Sequence, residues 1–280
     1  MSVIPRPVVV RRSASASWWR FWVSIRQLFE YADLFRTLTQ HRIRTRYQQA
    51  FLGIGWAVVH PIAITLILTL VFSRVAGFTT EGIPYPVFAY SGLLVWSAFA
   101  TALTTATQAL VIHAPLITKV YFPREILPLT YVAAALVDFA IGSSVLIALL
   151  LYHQIPLGWS ALAAVAIVTL VAVIAASLAL CCSAIHVRFR DASLATPLLL
   201  YLWLFASPIA YPMSAVPARY REWMQMNPLT GLIEAFRAAV LYQTWPDPQV
   251  LATPALAAAA LLPISYLLFK RVEATMADVI

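Results

Sequence analysis

Ionisable side chains are rare in this sequence of 280 residues, where Asp, Glu, Lys and Arg together make up 11%. Each one found away from the chain ends therefore marks a place where contact or chemistry is needed. Asp138, in AALVDFAIGSS, sits about halfway along an apolar stretch. A carboxyl at that depth must face protein or water instead of lipid. Two roles fit it: a proton relay, or a structural contact with Ser, Thr or Tyr of another helix. No second intramembrane acid is present to act as a relay partner, which favours the structural contact.

A second concentration of charge lies in ITKVYFPREILPLTY, 117–131, between two long apolar stretches, with Lys119, Arg124 and Glu125 set among two prolines and three aromatic residues. Pro123 suits the start of a helix, where its missing N–H costs nothing, and Arg124 and Glu125 then fall in the first turn. Read by itself, the segment is a rigid polar turn that stops one helix and starts the next.

Covalent chemistry finds little support. The only lysines, Lys119 and Lys270, each follow a residue other than glycine, so no phosphate-binding Gly-Lys loop is present and nucleotide-driven work must be done by a partner chain. There is no paired Asp-x-Asp, no His-Glu-x-x-His and no Gly-x-Ser-x-Gly, and the five histidines are scattered. Cys181 and Cys182, adjacent in an apolar stretch, lack disulfide or metal-site spacing. The net charge of +8 brings no nucleic-acid reading, because the arginines are dispersed and no recognition motif accompanies them.

The elements that must position these residues are membrane helices. With 62% hydrophobic residues, a mean hydropathy of +0.82 and far less charge than the roughly 25% of a soluble domain, the chain is an all-α polytopic membrane protein. Apolar stretches reach the roughly 20 residues that a crossing helix needs, and a barrel's alternating pattern does not dominate. Six transmembrane helices are expected at about 54–73, 87–111, 127–151, 160–184, 193–211 and 250–269.

Residues 1–19 are expected to form a flexible cytoplasmic tail, and 20–48 an amphipathic interfacial helix. Leu28, Tyr31, Phe35 and Leu38 share one face of that helix, and Arg42, Arg44 and Arg46 stand directly before the first span. The domain of six helices occupies 49–270, and 271–280 reads as a cytoplasmic tail. Fifteen of the nineteen Lys and Arg residues fall on the side shared by both termini, the 112–126 loop and the second loop, which holds Arg188, Arg190 and Asp191. The positive-inside rule makes that side cytoplasmic.

On the opposite side, 212–249 is too polar for a span and too apolar for a solvated loop. Short re-entrant helices are expected at about 212–245, in the region of Asn227, Pro228, Glu234 and Arg237. Aromatic residues are the remaining resource. Phe88, Tyr90, Trp96 and Phe99 in the second span, and Tyr201, Trp203, Phe205 and Tyr211 in the fifth, are candidates for a channel wall along which sugar faces slide, with interface anchoring or packing as the other reading.

Six stretches in order resemble the permease subunit of ABC-2 type transporters, in the branch exporting O-antigen, capsular and teichoic-type polysaccharides: LTQHRIRTRYQQAFLGIGWAVVHPI, YSGLLVWSAFATAL, LITKVYFPREILPL, VRFRDASLATPLLL, ASPIAYPMSAVP and NPLTGLIEAFRAAVL. Together they cover nearly all of residues 25–270. His60-Pro61 stands where the family commonly has Gln-Pro, and the leucine often found after the Arg190-Asp191 pair is missing.

The resemblance implies an ABC-2 exporter fold, a homodimer, and two cytoplasmic ABC ATPase subunits that use ATP and Mg, with no cofactor bound by this chain. It implies that Lys119, Val120, Tyr121, Phe122, Pro123, Arg124 and Glu125 couple to the ATPase, with Val120, Tyr121 and Phe122 packing the short element in place. It also implies the re-entrant helices, a lipid-linked polysaccharide as substrate, contact with membrane lipids, and a place in the bacterial inner membrane. An ABC-2 exporter of a lipid or drug, a membrane glycosyltransferase and a proton-coupled transporter are the other functions considered.

Overall fold

The computed structural model describes residues 30–48, 51–75, 77, 80 and 82–279, and the regular structure among them is helical. In chain order the helices are α1 (Ala32–Tyr47), α2 (Trp56–Leu68, prolonged by wider turns over Thr69–Val75), α3 (Tyr85–Thr107), α4 (Ala109–Ile112), α5 (Ala114–Lys119), α6 (Ile126–Tyr152), α7 (Ala163–Arg188), α8 (Ala192–Phe205), α9 (Ala218–Gln225), α10 (Pro228–Val240) and α11 (Pro248–Val279). The expected residues 1–19 and the first part of the amphipathic stretch, Leu28 included, lie outside the described residues.

A helix that is apolar all round has to be enclosed by others. α3 is the enclosed one, packed by α2, α6, α7, α8 and α10. Its small residues let neighbours approach closely, as membrane helix interfaces require. At the crossing with α6, Tyr90 Oη donates to the Gly142 carbonyl at 2.9 Å, and a Cβ at Gly142 would stand 2.7 Å from the Leu94 side chain.

Among the described residues, five helical stretches are long and apolar enough to cross a bilayer: 56–73, 85–107, 126–152, 159–188 and 248–276. They match five of the expected spans. The expected stretch 193–211 is shorter as a helix. α8 has 14 residues, about 21 Å of rise, and then bends. Pro208 and Pro212 cannot donate to a continuing helix. The carbonyls freed at its end find side chains instead: Ser207 Oγ donates to Trp203 O at 3.0 Å, Tyr211 Oη to Phe205 O at 2.9 Å and Asn227 Nδ2 to Ala206 O at 3.1 Å.

The segment 271–279 is helical. α11 continues unbroken to Val279, so the last segment prolongs the final helix. Beyond α8, the half-apolar segment forms two short helices. α9 has no buried residue, whereas α10 is buried along most of its length against α3, α7 and α11. Asn227 caps α10 by accepting from Leu229 N at 3.0 Å, with Pro228 in the first turn.

Candidate functional site

At the end of the bundle where α4 and α5 turn, a small core gathers Leu110, Ile117, Phe122 and Leu127 with Phe269 and Met276 of α11, and Tyr31, Leu34 and Leu38 pack on it from the start of α1. The charges of the 117–131 segment lie differently from expectation. Glu125 is buried, at 1% exposure, and accepts from Lys270 Nζ at 2.9 Å, while Lys270 also bonds Glu273 at 2.8 Å. Arg124 Nη1 donates to the Glu273 carbonyl at 3.0 Å. Burial pushes the Glu125 carboxyl above the ordinary carboxylate range, against the pull of Lys270.

Arg124 and Glu125 are thus spent on α11. Phe122 and Pro123 are buried as well, whereas Lys119, Val120 and Tyr121 face outward, Tyr121 at 93% exposure. Packing of the short element therefore falls to Phe122 and not to Val120 or Tyr121. Lys270 was missed from sequence, although its signal was present: it is one of only two lysines and stands inside the last apolar stretch.

α1 runs along α6 from this core. Tyr31, Phe35 and Leu38 are half-buried, and Arg36, Gln40 and Arg44 are exposed. Arg42 lies flat on the Tyr131 ring, 3.3 Å from its centroid, and donates from Nε to Thr130 Oγ1 at 3.2 Å. Its Nη2 meets His113 Nε2. Arginine only donates, so Nε2 must be the accepting nitrogen of a neutral ring.

The pKa of His113 is accordingly pushed down to about 4, by burial first, then by the charge of Arg42 and by His41. Folded His113 binds its proton below the ordinary 6.5, so the undocked form is protonated first as pH falls. The contribution of this contact is complete above about pH 6.5 and shrinks toward pH 4. Hydrogen exchange over residues 32–47, corrected for intrinsic rate, should rise across that window. His113→Asn should flatten the response.

Asp138, on the next turns of α6, receives both Arg46 Nη1 and Tyr47 Oη from the end of α1. The favoured structural contact is present, with a tyrosine of another helix as one partner and an arginine that sequence reasoning had not paired with it. Burial and the neighbouring carboxylate push the Tyr47 phenol up to about 12, so it stays a donor at any cellular pH. Beside Arg46 opens a cavity of about 370 Å³, walled by His60 of α2, residues 96–105 of α3 and residues 197–204 of α8.

The opposite end is built around Arg237, whose side chain is fully enclosed. Its Nη1 donates to Pro208 O at 2.6 Å and to Glu234 Oε1 at 3.0 Å. Its Nη2 donates to Ile209 O at 2.8 Å and to Phe88 O at 3.3 Å. The guanidinium also stacks on Phe88 at 3.5 Å. Nearby, Trp203, Phe205, Tyr211, Tyr220 and Trp223 border a cavity of about 650 Å³. Asn227 holds its floor, accepting from Trp203 Nε1 at 3.0 Å.

The aromatic candidates therefore divide. Phe88, Tyr90 and Phe99 are buried inside the bundle, whereas Tyr201 and Phe205 are exposed and Trp203 and Tyr211 border the cavity above Asn227. Trp96 is buried but edges the cavity beside Arg46. Arg188, Arg190 and Asp191 are exposed in the short link between α7 and α8. Among the described residues no three His, Cys, Asp or Glu side chains gather as a metal site.

The family model for ABC-2 type transporters matches residues 33–241. The chain belongs to that family. This ABC-2 permease is 30% identical over 242 residues to the O-antigen export system permease protein RfbA of Myxococcus xanthus, a match covering 85% of this chain and 92% of that protein. It is 26% identical over 206 residues to the protein of the same description from Klebsiella pneumoniae, covering 73% and 79% of the two chains. It is 28% identical over 213 residues to the polysialic acid transport protein KpsM of Escherichia coli, covering 71% and 78%. The permease is a multi-pass inner-membrane protein, and the matched region spans α1 to α10, including the Arg42, Asp138 and Arg237 contacts.

Proposed function

We propose that this permease carries a lipid-linked polysaccharide from the cytoplasmic to the outer side of the membrane. The observation that carries the reading is similarity over 85% of the chain to a permease named for O-antigen export and over 71% to a protein named for polysialic acid transport. Two copies of the chain form the path, and two ABC ATPase subunits supply the work through ATP and Mg. The permease itself performs no covalent step. The exposed Lys119, Val120 and Tyr121 are the contact offered to the ATPase, with Arg188, Arg190 and Asp191 as a second contact.

In this reading α8 and the bend after it make a sixth span, α9 and α10 are the re-entrant pair, both termini are cytoplasmic and α1 begins at the inner membrane surface. The rings of Tyr201, Trp203, Phe205 and Tyr211 offer sugar-stacking faces that demand no fixed register. The proton-coupled alternative loses support because Asp138 is occupied by Arg46 and Tyr47.

Deleting the gene in its host tests the reading. Lipid-linked glycan should accumulate inside while surface polysaccharide disappears. Normal surface polysaccharide in a strain without a redundant exporter would sink it, and a defect confined to lipid or drug efflux would favour another ABC-2 substrate.

A further inference from the structure

Asn227 makes every hydrogen bond that an amide side chain can make. Its Oδ1 accepts from Leu229 N and from Trp203 Nε1, each at 3.0 Å, and its Nδ2 donates to Ala206 O at 3.1 Å and to Ser207 Oγ at 2.9 Å. The two neighbours of Oδ1 are N–H groups that can only donate, and the Ala206 carbonyl can only accept, so the amide has one workable orientation. Asparagine alone suits this place: aspartate lacks the donors, and serine can cap the helix but has no amide to hold the rest.

The partners come from two elements. Leu229 belongs to the first turn of α10, whereas Trp203 is in the last turn of α8 and Ala206 and Ser207 begin the bend after it. α10 also supplies Arg237, whose guanidinium takes Pro208 O and Ile209 O. The remaining carbonyls of the bend are taken as well, Phe205 O by Tyr211 Oη, Ser207 O by Ile209 N and Ala210 O by Tyr85 Oη. From Phe205 to Ala210, then, each backbone carbonyl has a donor, and α10 provides the donors for Ala206, Pro208 and Ile209.

Trp203 is gripped at two points. Its N–H is tied to Asn227, and its ring meets the buried Phe99 of α3 edge to face, with 5.3 Å between centroids and 80° between planes. Two separate contacts fix both torsions of the side chain, so the ring borders the cavity above Asn227 in one plane. An aromatic face set in advance loses no rotamer freedom when a ligand lies on it. Trp223, which borders the same cavity from α9, is largely exposed.

We infer that Asn227 is a positioning residue for transport: it sets the plane of Trp203 and ties that plane to the first turn of α10. A shift of α10 carries the bend and the ring with it. The inference rests on the exporter reading for what passes the ring, and on the contacts alone for how the ring is held.

The test uses the full transporter, permease with its ATPase partners, in nanodiscs, with fluorotryptophan in place of tryptophan and the Trp203 fluorine signal assigned by its loss in Trp203→Phe. Asn227→Ser keeps the α10 cap and frees the indole, so the Trp203 signal should shift and broaden while that of Trp56, on α2, stays as it was. Surface polysaccharide should fall about tenfold, within the range for losing a buried hydrogen bond. Trp203→Phe, which keeps a ring without the N–H, should cause a fall of similar size. Residues that act through one another do not add, so the double variant should be no more than about twofold worse than either single one, against about a hundredfold for independent effects.

An unmoved Trp203 signal in Asn227→Ser overturns the positioning role and leaves Asn227 a helix cap only. Multiplying effects in the double variant overturn it too, as does a freed ring with normal surface polysaccharide. A second measurement needs no variant: the Trp203 indole N–H should exchange at least about a hundredfold more slowly than that of Trp223, and equal rates overturn the role. Because the fluorine signal and the exchange are read without substrate, their failure is distinct from a gene deletion that leaves surface polysaccharide intact.

Discussion

Arg237→Met should cost the permease about 3 kcal/mol or more of stability and abolish export. The substitution strands the carbonyls of Pro208 and Ile209, each buried and each worth about 1–3 kcal/mol when left without a donor, and removes one of the donors to Phe88 O, which keeps Ser91 Oγ. Methionine replaces the volume but none of the donors. Arg237→Lys should recover only part of the loss, because one ammonium cannot reach both sides of the bend as the planar fork does. Gly92→Ala should act on the same contact, since its Cβ would stand 2.6 Å from Arg237 Nη2 and 3.2 Å from the Ile209 carbonyl. Thermal unfolding in detergent and surface polysaccharide are the readouts. An unchanged midpoint with intact export would show that the bend after α8 needs no such clamp.

Lys270→Met should be nearly as damaging, for an electrostatic reason. It removes the cation facing Glu125, which is buried at 1% exposure and has one carboxylate oxygen already without a partner. Breaking a buried pair by deleting one member typically costs about 3–5 kcal/mol. The sign of the pH response follows from the raised carboxyl. Glu125 holds its proton to higher pH when folded than when unfolded, so stability of Lys270→Met should improve on mild acidification and fall toward neutrality. Adding Glu125→Gln should relieve the variant and flatten that response. If the double variant is no better than Lys270→Met, the pair carries no such weight.

Five of the spans were legible because hydropathy integrates over some twenty residues and tolerates local error. The early end of α8 was legible in principle: Ser207, Pro208 and Pro212 are stop signals, but an apolar count runs through them. Pairings were a different matter. Asp138 announced that it needed a partner, yet Arg46 and Tyr47 lie more than ninety residues away and their choice depends on how α1 docks.

The aromatic residues show the sharpest limit. In a soluble helix, polar residues mark which face is outside; α3 is apolar on all sides, so Phe88, Tyr90 and Phe99 carried no mark separating interior packing from a lining role. The same holds in reverse for Arg237 and Glu125. Charge in a sequence reads as exposure, and both side chains are enclosed because several carbonyls or a lysine meet them there.

The fastening of the 113–125 turn has a mechanical consequence. It is tied to the last helix through Lys270 and Glu273, to the first described helix through Arg42, and to α6 by direct continuation. A push on the protruding Tyr121 cannot bend one of these alone. It bears on α1, α6 and α11 together, as a crank bears on its shaft.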